Sequence, residues 1–176
     1  MPSVKIVNCA VKTLFIFLVV PLSMAAGTSS VPRSIDNACE ILVENRQWLE
    51  ASRQTSQRWQ VPMEILLAFI HTESKFKADA TSPRKRYMWV VPGPRLSSAY
   101  GYAQAINGTW GQYKHFVGRP EARRDQFADA IDFIGWYVDR SERMNGIPKG
   151  DAYNQYLAYH EGHRGFSIAS GSAQRN

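Results

Sequence analysis

Cysteine is scarce in this chain: two in 176 residues, Cys9 and Cys39. Cys9 lies in an N-terminal segment that reads as removable, so Cys39 alone remains. That excludes an intramolecular disulfide framework and a cysteine-based metal cluster. An unpaired thiol of this kind reads as a small buried apolar filler. Internal repeats and long low-complexity tracts are also missing, so nothing points to a repeat architecture or a disordered scaffold. Long apolar runs are absent too. The most apolar stretch, "LFIFLVVPL" from Leu14 to Leu22, falls far short of the roughly 20 residues that span a bilayer. Acidic residues are in the minority, 15 Asp and Glu against 21 Lys and Arg, for a formal charge of +6.

What is present begins with that same segment. Lys5 and Lys12 precede the apolar run, and Ser23 and Ala25 are the small residues that cleavage after Ala25 requires. Residues 1–25 therefore read as a signal peptide, with the remainder periplasmic or secreted and without a stable membrane span. Lys5 and Lys12 account for two of the six positive charges, which leaves +4 on the rest. A mild positive excess favours anionic surroundings, and for an exported protein the cell wall is the most accessible of these. No recognised nucleic-acid motif accompanies the charge, so nucleic acid is not expected as a partner. A composition 44% apolar and 12% aromatic gives one domain of ordinary size with a sizeable core.

The periodicity is mostly helical. Apolar positions at Ile41, Leu42, Trp48, Leu49 and Trp59 predict helix over 34–59, and Pro62 opens a second helix over 62–75. Residues 82–98, with three prolines and the basic cluster Arg84, Lys85, Arg86 and Arg95, predict a loop or short irregular hairpin. "AYGYAQA" reads as a short extended segment, and "INGTWGQYKHF" as a short helix capped by Asn107 and stopped near Gly118. Phe127, Ala130, Ile131, Ile134 and Val138 stand at helical spacing in a long helix that ends at Asn145 and Gly146. A last helix opens at Asp151 and is expected to stop at Gly162, after which the chain looks too polar to bury much. The expected class is mostly α (α+β), with a small extended region beside a cleft.

One residue does not fit its stripe. In "VPMEILLAFIHTESKF", Leu66, Phe69 and Ile70 lie seven, four and three positions before Glu73, so a carboxylate shares their face. A helix-end glutamate in water is the plain reading. The chemical one is an acid whose apolar surroundings disfavour its charged form and keep a proton for donation.

Three segments in order, "VPMEILLAFIHTESKF", "SSAYGYAQA" and "YLAYHEG", resemble the three signatures of the lytic transglycosylase SLT domain family within the lysozyme-like superfamily. The resemblance covers about residues 35–165. It implies a lysozyme-like domain over 34–166, with 167–176 as a polar tail. On this match Glu73 corresponds to the catalytic acid/base and Ser74 to its usual neighbour, while Gly101 and Gln104 correspond to the residues lining the cleft. Tyr159 corresponds to a tyrosine whose hydroxyl lies near the catalytic carboxylate, and Tyr100 and Tyr102 are candidates for sugar stacking. The implied reaction cleaves peptidoglycan between N-acetylmuramic acid and N-acetylglucosamine. The muramic acid's own C6 hydroxyl attacks, leaving a 1,6-anhydro end, and no metal or organic cofactor is needed. One carboxylate then suffices where ordinary glycosidases use two.

The sequence departs from the pattern at His160, which stands at the family's asparagine and is followed by Glu161. Glu161 as a second carboxylate would permit hydrolysis by water instead. A second departure is the polar end, where the resemblance implies a further helix. A non-catalytic wall-binding protein is the other alternative. "HEGH" also offers His160, Glu161 and His163 as metal-ligand types, with His71 elsewhere. Its histidines are three apart with Gly162 between, which fails the zincin spacing.

Overall fold

The computed structural model describes residues 38–87 and 91–173, so the segment read as a signal peptide and the surroundings of the Cys39 side chain lie outside the description. In chain order the elements are α1 (Ala38–Glu44), α2 (Arg46–Trp59), α3 (Met63–Ser74), β1 (Arg84–Tyr87), β2 (Val91–Arg95), α4 (Asn107–Val117), α5 (Phe127–Asn145) and α6 (Ala152–Ala173). The mostly helical, lysozyme-like expectation holds.

The core is organised around α5. All residues from Asp129 to Val138 are buried, so this helix is enclosed on every side at its centre, with α2, α3, α4 and α6 packed against it. Its tightest neighbour is α2. A side chain at Gly135 would place Cβ 2.4 Å from Trp59 Cδ1 and 2.8 Å from Thr55 Cγ2, so only glycine allows this approach. Asp132, on the adjoining turn, accepts hydrogen bonds from Trp59 Nε1 (2.8 Å) and the Tyr113 hydroxyl (2.8 Å) and pairs with Arg58 (3.1 Å). One buried carboxylate thus ties α2, α4 and α5 together. Near the other end of α2, the Trp48 indole stacks between Phe127 (4.3 Å) and Phe76 (5.7 Å) and meets Tyr102 edge-on (5.7 Å).

Helix α3 matches its expected bounds, with Pro62 at the N-cap and Lys75 closing it in the left-handed region (φ 53°). The hairpin β1–β2 is antiparallel and pairs Arg84 with Arg95, with an irregularity between Arg84 and Arg86. Helix α5 ends at Asn145 with Gly146 as its left-handed cap, as its sequence predicts.

Four expectations are corrected. The helix expected over 34–59 is broken at Asn45 (φ −123°, ψ 80°). There the asparagine amide and backbone N–H both donate to Ile41 O and close α1, while Asn45 O begins the hydrogen bonding of α2. Asn107 is the first residue of α4 and not its cap; its N–H donates to Ser98 Oγ at 3.0 Å, so the cap comes from the preceding loop. "AYGYAQA" is a set of tight turns, because Gly101 (φ 78°) and Gln104 (φ 48°) take left-handed backbone that no strand contains.

The fourth correction concerns the chain end. The last helix bends at Gly162 (φ 75°, ψ 155°), a conformation essentially reserved for glycine, and resumes to Ala173. The stretch after Gly162, expected to bury little, buries His163 and Phe166, three residues apart on one face. His163 Nε2 lies 3.0 Å from Ser141 Oγ, and its ring stacks on Tyr137 at 4.4 Å. Burial and the nearby Arg140 charge push the imidazole down to about 4, so it is neutral near neutral pH. Phe166 packs with Ile147 and Ala158.

Candidate active site

Helix α3 sets Glu73 in its last turn. Leu66, Phe69 and Ile70 on the same face are fully buried, and Glu73, one turn further on, emerges half-buried into a cleft of about 660 Å³. Burial raises the Glu73 carboxyl above its usual 4.5, while a hydrogen bond from the Tyr156 hydroxyl and the charge of His160 act in the opposite direction. The helix C-terminus, negative by its dipole, also disfavours the carboxylate. The net shift is upward, toward the protonated form.

The cleft lies between the hairpin side (Ser82, Pro83, Ser97), the start of α4 (Ile106, Thr109), Phe133 and Tyr137 of α5, and Tyr159, His160 and Glu161 of α6. Gln104 also lines it, and its Nε2 donates to Ala80 O (2.9 Å) and Gly101 O (2.8 Å), pinning the turn that carries it. Gly101 allows a close approach of two backbone segments: a Cβ there would fall 2.1 Å from Arg124 O, while Gly101 N–H donates to Ala80 O and Tyr102 N–H to Arg124 O. Arg124 completes this clasp by donating to Ser98 O (2.9 Å) and Ala105 O (2.7 Å).

Glu73, Gln104, Tyr159 and His160 are therefore brought to one cleft. Others named from the sequence are not. Ser74 is buried, and its hydroxyl donates to Ile70 O in its own helix. Tyr102 is 1% exposed and packed against Trp48 and Phe127, so it belongs to the core and not to a sugar-stacking surface. Tyr100 is half-buried under the Arg124 guanidinium (5.4 Å) and lines a separate hollow with Trp110 and Lys114.

Tyr159 is next to Glu73, whose charge, after burial, raises its phenol, but its hydroxyl donates to Ala103 O and ties α6 to the Gly101 turn. The hydroxyl that meets Glu73 belongs to Tyr156, which sequence reasoning passed over. Its signal was present: Tyr156 precedes Tyr159 by three residues, and both rings meet Phe69 edge-on, at 5.4 and 5.3 Å.

The four residues considered as metal ligands do not converge. His160 and Glu161 are exposed on the cleft, His163 turns inward to Ser141, and His71 lies beside Lys75 on α3 (3.4 Å). Among the described residues no group of three His, Cys, Asp or Glu side chains is arranged to hold a metal ion. No helix among them is long and apolar enough to cross a membrane.

The burial of Glu73 has a measurable consequence. A carboxyl whose folded value is raised binds its proton more tightly in the fold, so its contribution to stability is present below the unfolded value and is lost as pH rises through the folded one. Glu73→Gln keeps the shape and has no charge to desolvate. The melting temperature of Glu73→Gln relative to the parent is expected to rise between pH 4 and pH 7, as followed by circular dichroism. An unchanged difference would contradict the burial.

A helical domain wrapped around one enclosed helix, with a half-buried glutamate at the mouth of a cleft beside a small hairpin, is the lysozyme-like class of glycan-cleaving protein. A family model described as the Transglycosylase SLT domain matches residues 14–175, and the chain belongs to that family. Its function is of the lytic transglycosylase or lysozyme type, acting on peptidoglycan. No curated protein and no solved structure matches the chain.

Proposed function

We propose that the protein is a lytic transglycosylase that cleaves the β-1,4 bond between N-acetylmuramic acid and N-acetylglucosamine and leaves a 1,6-anhydromuramic end. The observation that carries the reading is Glu73: a carboxyl whose charged form burial disfavours, facing a cleft of about 660 Å³. It donates its proton to the glycosidic oxygen as the C1–O bond breaks, and the resulting carboxylate then takes the proton of the muramic C6 hydroxyl as that oxygen bonds to C1, which restores the acid. Gln104, Tyr159 and His160 border the same space and are the residues we assign to substrate contact, with Thr109 and Ile106 added from the geometry. Tyr156 holds the Glu73 carboxyl in place. Ser74, Gly101 and Tyr102 act behind the site by shaping it.

The N-terminal segment and the peptidoglycan substrate of the family agree on a periplasmic or secreted location. The test is mass spectrometry of muropeptides released from purified peptidoglycan. Anhydromuramic ends are the expected product. Reducing ends would make the enzyme a muramidase that uses water, and undiminished glycan binding without any product would leave the wall-binding reading.

A further inference from the structure

A second hollow, of about 490 Å³, lies beside the cleft, and the reaction described above makes no use of it. Helix α4 divides the two. Ile106 and Thr109 line the cleft, while their chain neighbours Asn107 and Trp110 line the hollow, with Lys114 one turn further along. Tyr100 and Ala105, bridged across the Gly101 turn, likewise face the hollow and the cleft respectively. The two spaces are therefore separated by about one helix diameter, roughly 10 Å.

The charge of the hollow is unbalanced. The acid in its lining, Asp125, is held by Arg123 through two hydrogen bonds (3.0 and 2.9 Å). Asp129 close by accepts from Arg119 (2.6 Å) and from the Arg123 backbone N–H (2.8 Å). Two further cations in the lining, Lys114 and Arg124, have no carboxylate partner among the described residues. Lys114 Nζ donates to Pro120 O (3.1 Å) and Arg124 to Ser98 O and Ala105 O, all of them neutral carbonyls. An ammonium carries three donors and a guanidinium five, so both keep N–H groups for a ligand. The Arg124 guanidinium lies over the Tyr100 ring (5.4 Å), which holds it in place at the wall of the hollow. A lining of this kind, two unneutralised cations beside aromatic side chains, suits a carboxylate carried on a short chain.

We propose that this hollow binds the carboxylate-bearing peptide stem of a muramic unit seated in the cleft, so that the protein selects strands with anionic stems over strands whose stems are neutral. The proposal rests on the transglycosylase reading above. The stem hangs from the lactyl group on O3 of muramic acid, so its root lies wherever the sugar lies. Three extended residues span about 10 Å, enough to cross the first turn of α4 and bring a carboxylate to Lys114 and Arg124. A wall phosphodiester is the competing anion. Attached through the muramic C6 oxygen, it would occupy the atom that closes on C1, so the reacting unit cannot carry one.

The experiment measures kcat/KM on uncrosslinked peptidoglycan strands, untreated and with the stem carboxylates converted to amides. Untreated strands are expected to be preferred by roughly 5- to 10-fold, the scale of two partly exposed ion pairs. Lys114→Gln should bring this ratio down toward one. Gly111→Glu should do the same without removing a native contact. Gly111 lines the hollow, a Cβ there meets no atom within 4 Å, and a carboxylate three residues before Lys114 on the same helix face occupies its ammonium. Gly111→Gln, equal in size and uncharged, separates charge from bulk and should show a larger ratio than Gly111→Glu. Replacing a helical glycine with either residue favours the helix, so folding does not confuse the comparison. A parent ratio near one overturns the proposal, as does a ratio that Gly111→Glu and Lys114→Gln leave unchanged, or a loss shared equally by both substrates. Failure of the transglycosylase reading is seen separately, in the ends themselves: both substrates would then yield reducing ends, and the ratio could still be formed from them.

Discussion

Glu73→Gln is expected to reduce turnover on peptidoglycan by on the order of 10²-fold or more, the scale of general acid catalysis. The amide is nearly isosteric, and Tyr156 can still donate to its oxygen, so the cleft keeps its shape and glycan binding should persist. What disappears is the transferable proton. The measurement is the initial rate of muropeptide release alongside binding of glycan strands by the same preparation. Parallel loss of rate and binding would indicate a collapsed cleft, and near-normal turnover would remove Glu73 from the reaction. Only turnover lost with binding retained fits the assigned role. Glu73→Asp is a useful companion, since it keeps the proton but withdraws it from the substrate by one methylene, and a fall in rate there reports positioning.

Asp132→Ala should have the largest effect on stability, about 2–6 kcal/mol, because it leaves two buried donors without an acceptor. Three donors on two other helices meet this carboxylate: Trp59 Nε1, the Tyr113 hydroxyl and Arg58. Alanine would strand the first two in the core, and each buried donor left unpaired costs about 1–3 kcal/mol. Asp132→Asn, with a single acceptor oxygen, should fall between. Urea denaturation gives the value, and a loss below about 1 kcal/mol would mean that water or repacking replaces the carboxylate. Asp132 and the cleft-lining Phe133 and Tyr137 occupy different faces of α5, so the folded fraction of the variant should keep its specific activity.

How much of this could be read from the sequence depended on the range of the interactions involved. Helices α3 and α5 were legible because their apolar spacing and their boundary signals, Pro62 at the start of α3 and Gly146 at the end of α5, act within a turn or two. Glu73 stood out for the same reason, as a polar residue on a periodic apolar face. The turn at 100–105 was not legible as a turn. Its left-handed positions are held by Ala80 and Arg124, each about twenty residues away, and local alternation alone reads as extended. The end of α6 was misjudged because composition was taken for burial. His163 against Tyr137 and Ser141 of α5, and Phe166 against Ile147 and Ala158, seat this short segment where Gly162 redirects the chain. Tyr156 was missed because a hydroxyl aimed at a carboxylate on another helix has no signature in its own neighbourhood beyond its spacing from Tyr159.

The contact between Gly101 and the carbonyl of Arg124 bears on how such a cleft can diversify. Part of its framework is main chain pressed against main chain, so point mutation has no side chain there to enlarge, shrink or recharge. Variation in the preferred glycan or its peptide decoration must instead enter through the rim, at Ile106, Thr109, His160 and Glu161, where substitutions leave that backbone junction untouched. The domain thus separates a frame that resists drift from a border that is free to adapt.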